Sequence, residues 1–121
     1  MGDLRYTVTK EMEIAGMHHL DLPYESKCRN NHGHNWMVYV TVSCLQEDLE
    51  NGMVLDFALI KKEIHDYLDH GNLNELLDFN PTAENIAHWI MDKVDNMRKN
   101  ATCTKVEVHE SRGNIAVCEK V

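Results

Sequence analysis

Cys28-Arg29-Asn30-Asn31-His32-Gly33-His34-Asn35-Trp36 runs directly into Met37-Val38-Tyr39-Val40-Thr41-Val42, and the architecture can be worked out from this stretch. From Trp36 onward the apolar residues Trp36, Val38, Val40, Val42 and Cys44 take the even positions. That is the period-two alternation of a strand with one buried face, and it predicts a strand over about 34–46. His32 and His34 extend the row backwards. Residues i and i+2 of a strand share a face with Cα atoms roughly 7 Å apart. Two imidazoles so placed can converge on one metal ion through bonds of about 2.0–2.1 Å. An exposed His-x-His at a loop–strand junction is the plain alternative.

The preceding segment weighs against that alternative. Residues 4–18 also alternate, with Leu4, Tyr6, Val8, Met12, Ile14 and His18 at even positions and Arg5, Thr7, Thr9, Glu11 and Glu13 at odd ones. Lys10 is the misfit and marks an exposed or bulged point. Residues 19–31, with Pro23, read as a loop. Consecutive strands most often pair as an antiparallel hairpin. Such a hairpin sets the end of the first strand beside the start of the second and brings His18 toward His32 and His34. Three imidazoles with room for water or substrate is the ligand count of a catalytic zinc site, not a closed structural one.

Downstream, Gln46 to Gly52 is a polar turn region. Asp56 then stands as N-cap of a helix carrying Phe57, Ile60, Ile64, Tyr67 and Leu68 on one stripe and ending near Asp69-His70-Gly71. A loop over 70–80 leads to Thr82, the N-cap of a second helix over about 83–98 with Ile86, Trp89, Ile90, Val94 and Met97 buried. Two short strands close the chain: Val106, Val108 and Glu110 share a face, and Ser111-Arg112-Gly113-Asn114 turns the chain into Ile115 to Glu119. The order ββααββ predicts an α+β domain over residues 1–121, a four-stranded antiparallel sheet with two helices on one face.

At 121 residues the chain is long enough for one real core. A formal charge of −8 argues against a general nucleic-acid binder, because phosphate backbones need a basic face. One small anionic substrate needs only a local cluster of donors. No apolar run approaches the roughly 20 residues of a membrane helix, and Met1 begins no signal-peptide pattern. The four cysteines are irregularly spaced, with neither a disulfide framework nor a Cys-x-x-Cys knuckle, so the expectation is a cytoplasmic protein with free thiols.

Four residues stand out for chemistry. A thiol beside a divalent cation becomes a base or nucleophile near neutral pH, and Cys28 lies four residues before His32. A fourth metal ligand and an inert cysteine are the other readings of Cys28. Asp69-His70 is either a solvated helix terminus or a carboxylate orienting a proton-shuttling imidazole. Glu110 occupies the inward position after Val106 and Val108. A buried carboxylate without partners costs several kcal/mol, so it either meets a ligand's N–H groups or has already reached solvent. Thr82, Glu84 and Asn85 are first of all capping residues. His65, His88 and His109 fall at polar positions and receive no role.

These segments together resemble the 6-pyruvoyltetrahydropterin synthase / 6-carboxytetrahydropterin synthase family over nearly the whole chain. The matching blocks are Ala15-Gly16-Met17-His18-His19-Leu20, Lys27 through Asn35, Gly52 through Phe57, Leu68 through Asn74, Pro81 through Asn85, and Val108 through Ser111. Each is weak alone; all of them in order are specific. The resemblance implies a tunnelling fold whose strands join those of neighbouring chains in a barrel, usually a homohexamer of two stacked trimers with active sites between subunits.

It further implies one zinc ion on His18, His32 and His34, with Cys28 as general base and Asp69 and His70 as a proton-relay pair. Glu110 would anchor a pterin ring. Thr82, Lys27, Arg29 and Arg112 are the remaining candidate substrate contacts. Asp69, His70 and Glu110 are expected to complete the site of a neighbouring chain. The substrate implied is 7,8-dihydroneopterin triphosphate. The carboxy branch, which serves queuosine and other 7-deazaguanines, usually has three residues between the cysteine and His-Gly-His; the pyruvoyl branch usually has more. Here Arg29, Asn30 and Asn31 make three. The expectation is therefore a carbon–carbon lyase that expels triphosphate and acetaldehyde to leave 6-carboxy-5,6,7,8-tetrahydropterin. A pyruvoyl synthase or an aldolase-like pterin enzyme is the nearest alternative, and a non-catalytic pterin- or metal-binding module a more distant one. His19 stands where the family often has another basic residue, and Ser111 where it usually has threonine.

Overall fold

The computed structural model of the chain describes residues 4–121; Met1, where the sequence begins no signal-peptide pattern, lies outside the described residues. Strands β1 (Arg5–His18) and β2 (His32–Leu45) pair antiparallel along their whole length, from Arg5 opposite Leu45 to His18 opposite His32. Lys10 pairs with Val40 inside this unbroken register, so it marks no bulge. The ladder is this regular because both strands alternate along nearly their whole length, and a one-residue slip would turn the buried row Met12, Ile14, Trp36, Val38, Val40 and Val42 outward.

The sheet departs from the expected four antiparallel strands. It has five, in the order β3-β1-β2-β4-β5, where β3 is Gly71–Asn72, β4 is Thr102–Ser111 and β5 is Asn114–Glu119. The added strand β3 runs parallel to β1, pairing Gly71 with Gly16 and Asn72 with Met17. The chain can approach there because Gly16 has no side chain: a Cβ on it would lie 2.9 Å from the Gly71 carbonyl oxygen.

The helical part is also more divided than the sequence pattern suggests. α1 (Phe57–Ile60) passes through a π-helical turn, Lys61–His65, into α2 (Asp66–Leu68). A short α3 (Leu73–Leu76) occupies part of the expected loop, and α4 (Ala83–Asp95) ends before residue 98. Both expected N-caps form: the Asp56 side chain accepts from the Ala58 N–H at 2.9 Å and Thr82 Oγ1 from that of Asn85 at 3.1 Å. Ile60, Ile64 and Leu68 are buried as expected, but Phe57 and Tyr67 are each 45% exposed. The π turn adds a residue to one turn and rotates the later side chains about the helix axis. Tyr67 thereby stacks outward on Trp89, with its hydroxyl donating to the Leu76 carbonyl at 2.8 Å.

The core lies between the even-position face of the sheet and the helices. Ile14, Trp36, Val38, Val40 and Val108 meet Ile60, Ile64, Ile86 and Ile90, all essentially excluded from solvent. No helix among the described residues is long and apolar enough to cross a membrane.

Candidate metal centre and active site

The open end of the β1–β2 hairpin lies at the rim of this core, and there the apolar row gives way to imidazoles. His18 and His32 are direct cross-strand partners, while His34 faces Gly16 one step further along. The three rings stack edge to face, with centroids 4.6 Å apart for His18–His32, 5.1 Å for His18–His34 and 4.9 Å for His32–His34. One ligand nitrogen from each lies within 4.8 Å of the other two. Trp36 closes the floor, its ring centroid 5.0 Å from that of His18 and 5.2 Å from that of His34.

The backbone aims two of the rings. His18 Nδ1 bonds the Pro81 carbonyl at 2.8 Å and His32 Nδ1 the Asn30 carbonyl at 2.7 Å. A carbonyl only accepts, so each Nδ1 is the N–H donor and each Nε2 presents its lone pair. His18 Nε2 and His34 Nε2 are buried without a hydrogen-bond partner. Orphaned buried nitrogens are costly. Converging imidazole nitrogens, two of the three rings with their tautomer set by a carbonyl, are what a divalent cation satisfies, so the residues present fit a metal ion. Burial also holds the His18 and His34 imidazoles below their ordinary basicity, which keeps them neutral.

Glu110 belongs to this centre within the same chain. Its two carboxylate oxygens lie 3.7 Å from His18 Nε2 and 3.9 Å from His34 Nε2. The chain thus places Glu110 beside its own triad. The β4–β5 register shifts between His109 and Ser111, and a bulge at that point re-aims the side chain it carries. Glu110 and Thr82 both line a cleft of about 410 Å³ that also takes in Leu20 and Asn114. A second cleft of about 550 Å³ shares Leu20 and includes His19, Arg29 and Asn74.

Cys28 sits half-buried in a 3-10 turn, Lys27–Arg29, which the Ser26 hydroxyl caps by accepting from the Cys28 N–H at 3.1 Å. The Cys28 carbonyl accepts from the Leu20 N–H at 2.7 Å, fixing the turn to the chain just after His18. Cys28 is not part of the converging nitrogen set, which leaves the fourth-ligand reading without support. Arg29 pairs with Glu25 at 3.2 Å on the surface, and Lys27 and Arg112 are exposed.

Asp69 and His70 lie beyond the other edge of β1. His70 has a positive φ of 61°, and that left-handed kink lets two adjacent side chains meet: Asp69 Oδ2 is 2.8 Å from His70 Nδ1. The other Asp69 oxygen accepts from the Ala15 N–H at 2.9 Å, and the His70 N–H donates to the Ala15 carbonyl at 2.6 Å. The Ala15 amide first, and then His70, holds the Asp69 carboxyl below its ordinary range. The His70 side chain is 84% exposed, and no hydrogen bond or ion pair among the described residues joins it to the triad.

Sequence reasoning missed the groups that orient the site. The Pro81 and Asn30 carbonyls carry no side-chain signal at all. His19 and Asn74 do: Asn74 Oδ1 accepts from the His19 N–H at 2.8 Å, its amide donates to the His19 carbonyl at 3.0 Å, and His19 Nδ1 lies 3.0 Å from Asn31 Oδ1. This network ties the residue after His18 to the residue before His32.

Comparison with known proteins agrees with the geometry. The sequence model of the family described as 6-pyruvoyl tetrahydropterin synthase matches residues 7–121. The chain is 31% identical over 117 residues to the 6-carboxy-5,6,7,8-tetrahydropterin synthase of Bacillus subtilis, covering 88% of this chain and 80% of the relative. It is 42% identical over 72 residues to the dihydroneopterin monophosphate aldolase of Pyrococcus furiosus, covering 57% of each. The solved 6-pyruvoyl tetrahydropterin synthase of Caenorhabditis elegans superposes with a TM-score of 0.75 at 27% identity, covering 98% of this chain and 97% of that one.

Proposed function

This chain belongs to the 6-pyruvoyl tetrahydropterin synthase family, and from that premise we propose that it is a zinc-dependent 6-carboxy-5,6,7,8-tetrahydropterin synthase acting on 7,8-dihydroneopterin triphosphate. The observation that carries the reading is the Glu110 carboxylate, which lines a cleft and lies 3.7 Å from His18 Nε2 of the three-histidine centre, with Cys28 on the adjoining turn. The carboxy branch is favoured by the three residues, Arg29 to Asn31, between Cys28 and His32, and by the 6-carboxy relative that covers most of the chain.

In this reading His18, His32 and His34 hold the ion, which when bound supplies Lewis acidity toward the substrate's side-chain oxygens. Glu110 accepts from the N–H edge of the pterin ring, and Thr82 lines the same cleft. The two N–H groups of a guanidine-like ring edge match the two oxygens of a carboxylate. Cys28 removes a proton from the substrate side chain, which sets up loss of triphosphate. His70, oriented through Nδ1 by Asp69, exchanges the following proton at Nε2. Lys27, Arg29 and Arg112 are the cations available to the triphosphate. Addition of water to the side-chain carbonyl next to the ring and cleavage of the adjoining carbon–carbon bond then release acetaldehyde, with water supplying the second oxygen of the carboxylate left on the ring.

The exposure of His70 supports an active site built between chains of a homohexamer, in which His70 of one chain serves the centre of the next. The same reading makes residues 1–121 a single catalytic domain of a cytoplasmic enzyme in 7-deazaguanine synthesis. The deciding experiment is mass analysis of the products formed from 7,8-dihydroneopterin triphosphate. Acetaldehyde with 6-carboxytetrahydropterin supports the proposal. A pyruvoyl product, or glycolaldehyde triphosphate from an aldolase cleavage, replaces it.

A further inference from the structure

Asp69 is approached by a second imidazole besides His70. His65 is the last residue of the π-helical turn, four residues before Asp69, and such turns are frequent at functional sites. Its Nε2 lies 3.8 Å from Asp69 Oδ2, the same oxygen that His70 Nδ1 holds at 2.8 Å. Its other nitrogen, Nδ1, is 3.0 Å from Asp66 Oδ1, which Lys61 Nζ also reaches at 2.9 Å. His65 thus stands between two carboxylates and shares one of them with His70. The second oxygen of Asp69 is engaged by the Ala15 amide and cannot relieve the competition.

We propose that His65 is a positioning residue for His70: its imidazole, anchored by Asp66, approaches the oxygen of Asp69 that His70 uses and sets how strongly Asp69 draws a proton onto His70. The proposal rests on reading Asp69 and His70 as the relay pair. The charged groups facing His65 are Asp66 and Asp69, with Lys61 beyond the first and His70 beyond the second; from β1 the neighbour is the uncharged Ala15 amide. Both carboxyls are held below their ordinary range, Asp66 by its bond to His65 and then by Lys61, Asp69 by the Ala15 amide and then His70. Both are anions at neutral pH. A proton on His65 offsets part of the Asp69 charge and repels a second proton on His70, so His70 becomes a weaker base. The protein thereby tunes a relay imidazole that is mostly in water and has little burial to tune it.

The test is the titration of the His70 ring followed by nitrogen-15 NMR in the wild type, His65→Gln and His65→Arg. His65→Gln removes the charge, and the His70 midpoint should rise by about half a pH unit, the size expected of a like unit charge a few ångströms away in a largely aqueous setting. His65→Arg restores a cation and should return the midpoint toward the wild-type value. An unchanged midpoint in His65→Gln overturns the proposal, as does an equal rise in both variants. Asp66→Asn frees His65 from its anchor and should move His70 in the same direction as His65→Gln, so the inference stays testable if one variant folds poorly. The titration needs no turnover. If His70→Gln leaves the rate intact, the relay reading falls while the coupling between His65 and His70 is judged separately.

Discussion

The Nδ1 of His18 lies 2.8 Å from the carbonyl oxygen of Pro81, 63 residues further along the chain. This bond joins the end of β1 to the entry of α4 and fixes which nitrogen of His18 faces the centre. His18 is fully buried, whereas His32 keeps partial exposure. Both His18→Ala and His32→Ala should therefore lose bound metal, but their effects on the metal-free protein should differ. His18→Ala leaves a cavity against Trp36 and a carbonyl without its donor, a loss of about 2–4 kcal/mol. His32→Ala should cost about 1 kcal/mol. Metal analysis with thermal melts in chelator reads both; equal melting temperatures for the two variants would contradict the structural role given to His18.

Metal binding should also carry a defined pH dependence. Burial holds the His18 and His34 imidazoles below the ordinary value of 6.5. In the unfolded chain they return to that value, so between 6.5 and the lowered values the unfolded state binds more protons. The shift costs nothing above pH 6.5 and destabilises the metal-free fold progressively as pH falls below it. Protons compete with the ion in the same direction. Affinity measured by chelator competition should be nearly flat from pH 8 to about 6.5 and weaken below it; affinity that improves on acidification would reject this account of the triad.

Cys28 is predicted to be separable from the metal. Its 3-10 turn is held by backbone bonds to Ser26 and Leu20 that do not need the thiol. Cys28→Ala should keep one equivalent of metal and a melting temperature close to the wild type, while turnover falls by about a hundredfold or more, the usual contribution of a general base. A variant that loses its metal would return Cys28 to the ligand set.

The hairpin and its histidines were legible because period-two alternation sets facing directions, and an antiparallel pair of consecutive strands then leaves only one place for His18 to go. The N-caps Asp56 and Thr82 were legible because their bonds are local. Strand β3 was not, because Gly71–Asn72 is too short for any periodicity and is held by the tertiary approach to Gly16. The π turn was hidden for a related reason: a single added residue leaves the apolar spacing of Ile60, Ile64 and Leu68 intact and shows only in the outward turn of Tyr67. The Asp69–His70 contact depends on the positive φ of His70, which neither residue type announces. His65 did leave a signal, its four-residue spacing to Asp69 on a helix, but that spacing became informative only once Asp69 had a partner.

Gly16 supplies the strongest test of how the fold holds Asp69 and His70. A Cβ there would meet the Gly71 carbonyl oxygen at 2.9 Å and the Trp36 ring at 3.3 Å. The first contact is with backbone and cannot be relieved by a rotamer change. Gly16→Ala should therefore push β3 away from β1, at a cost of about 1–3 kcal/mol. The segment displaced includes His70, whose backbone N–H bonds the Ala15 carbonyl next door. His18, His32 and His34 are held mainly by the β1–β2 ladder and the Pro81 and Asn30 carbonyls, so metal content should stay near one equivalent. If His70 acts as proposed, turnover should fall about tenfold or more as its imidazole loses its place. Loss of metal together with activity would mean that the β1–β3 junction supports the triad itself; full activity in a stable Gly16→Ala variant would mean that the position of His70 does not limit the rate.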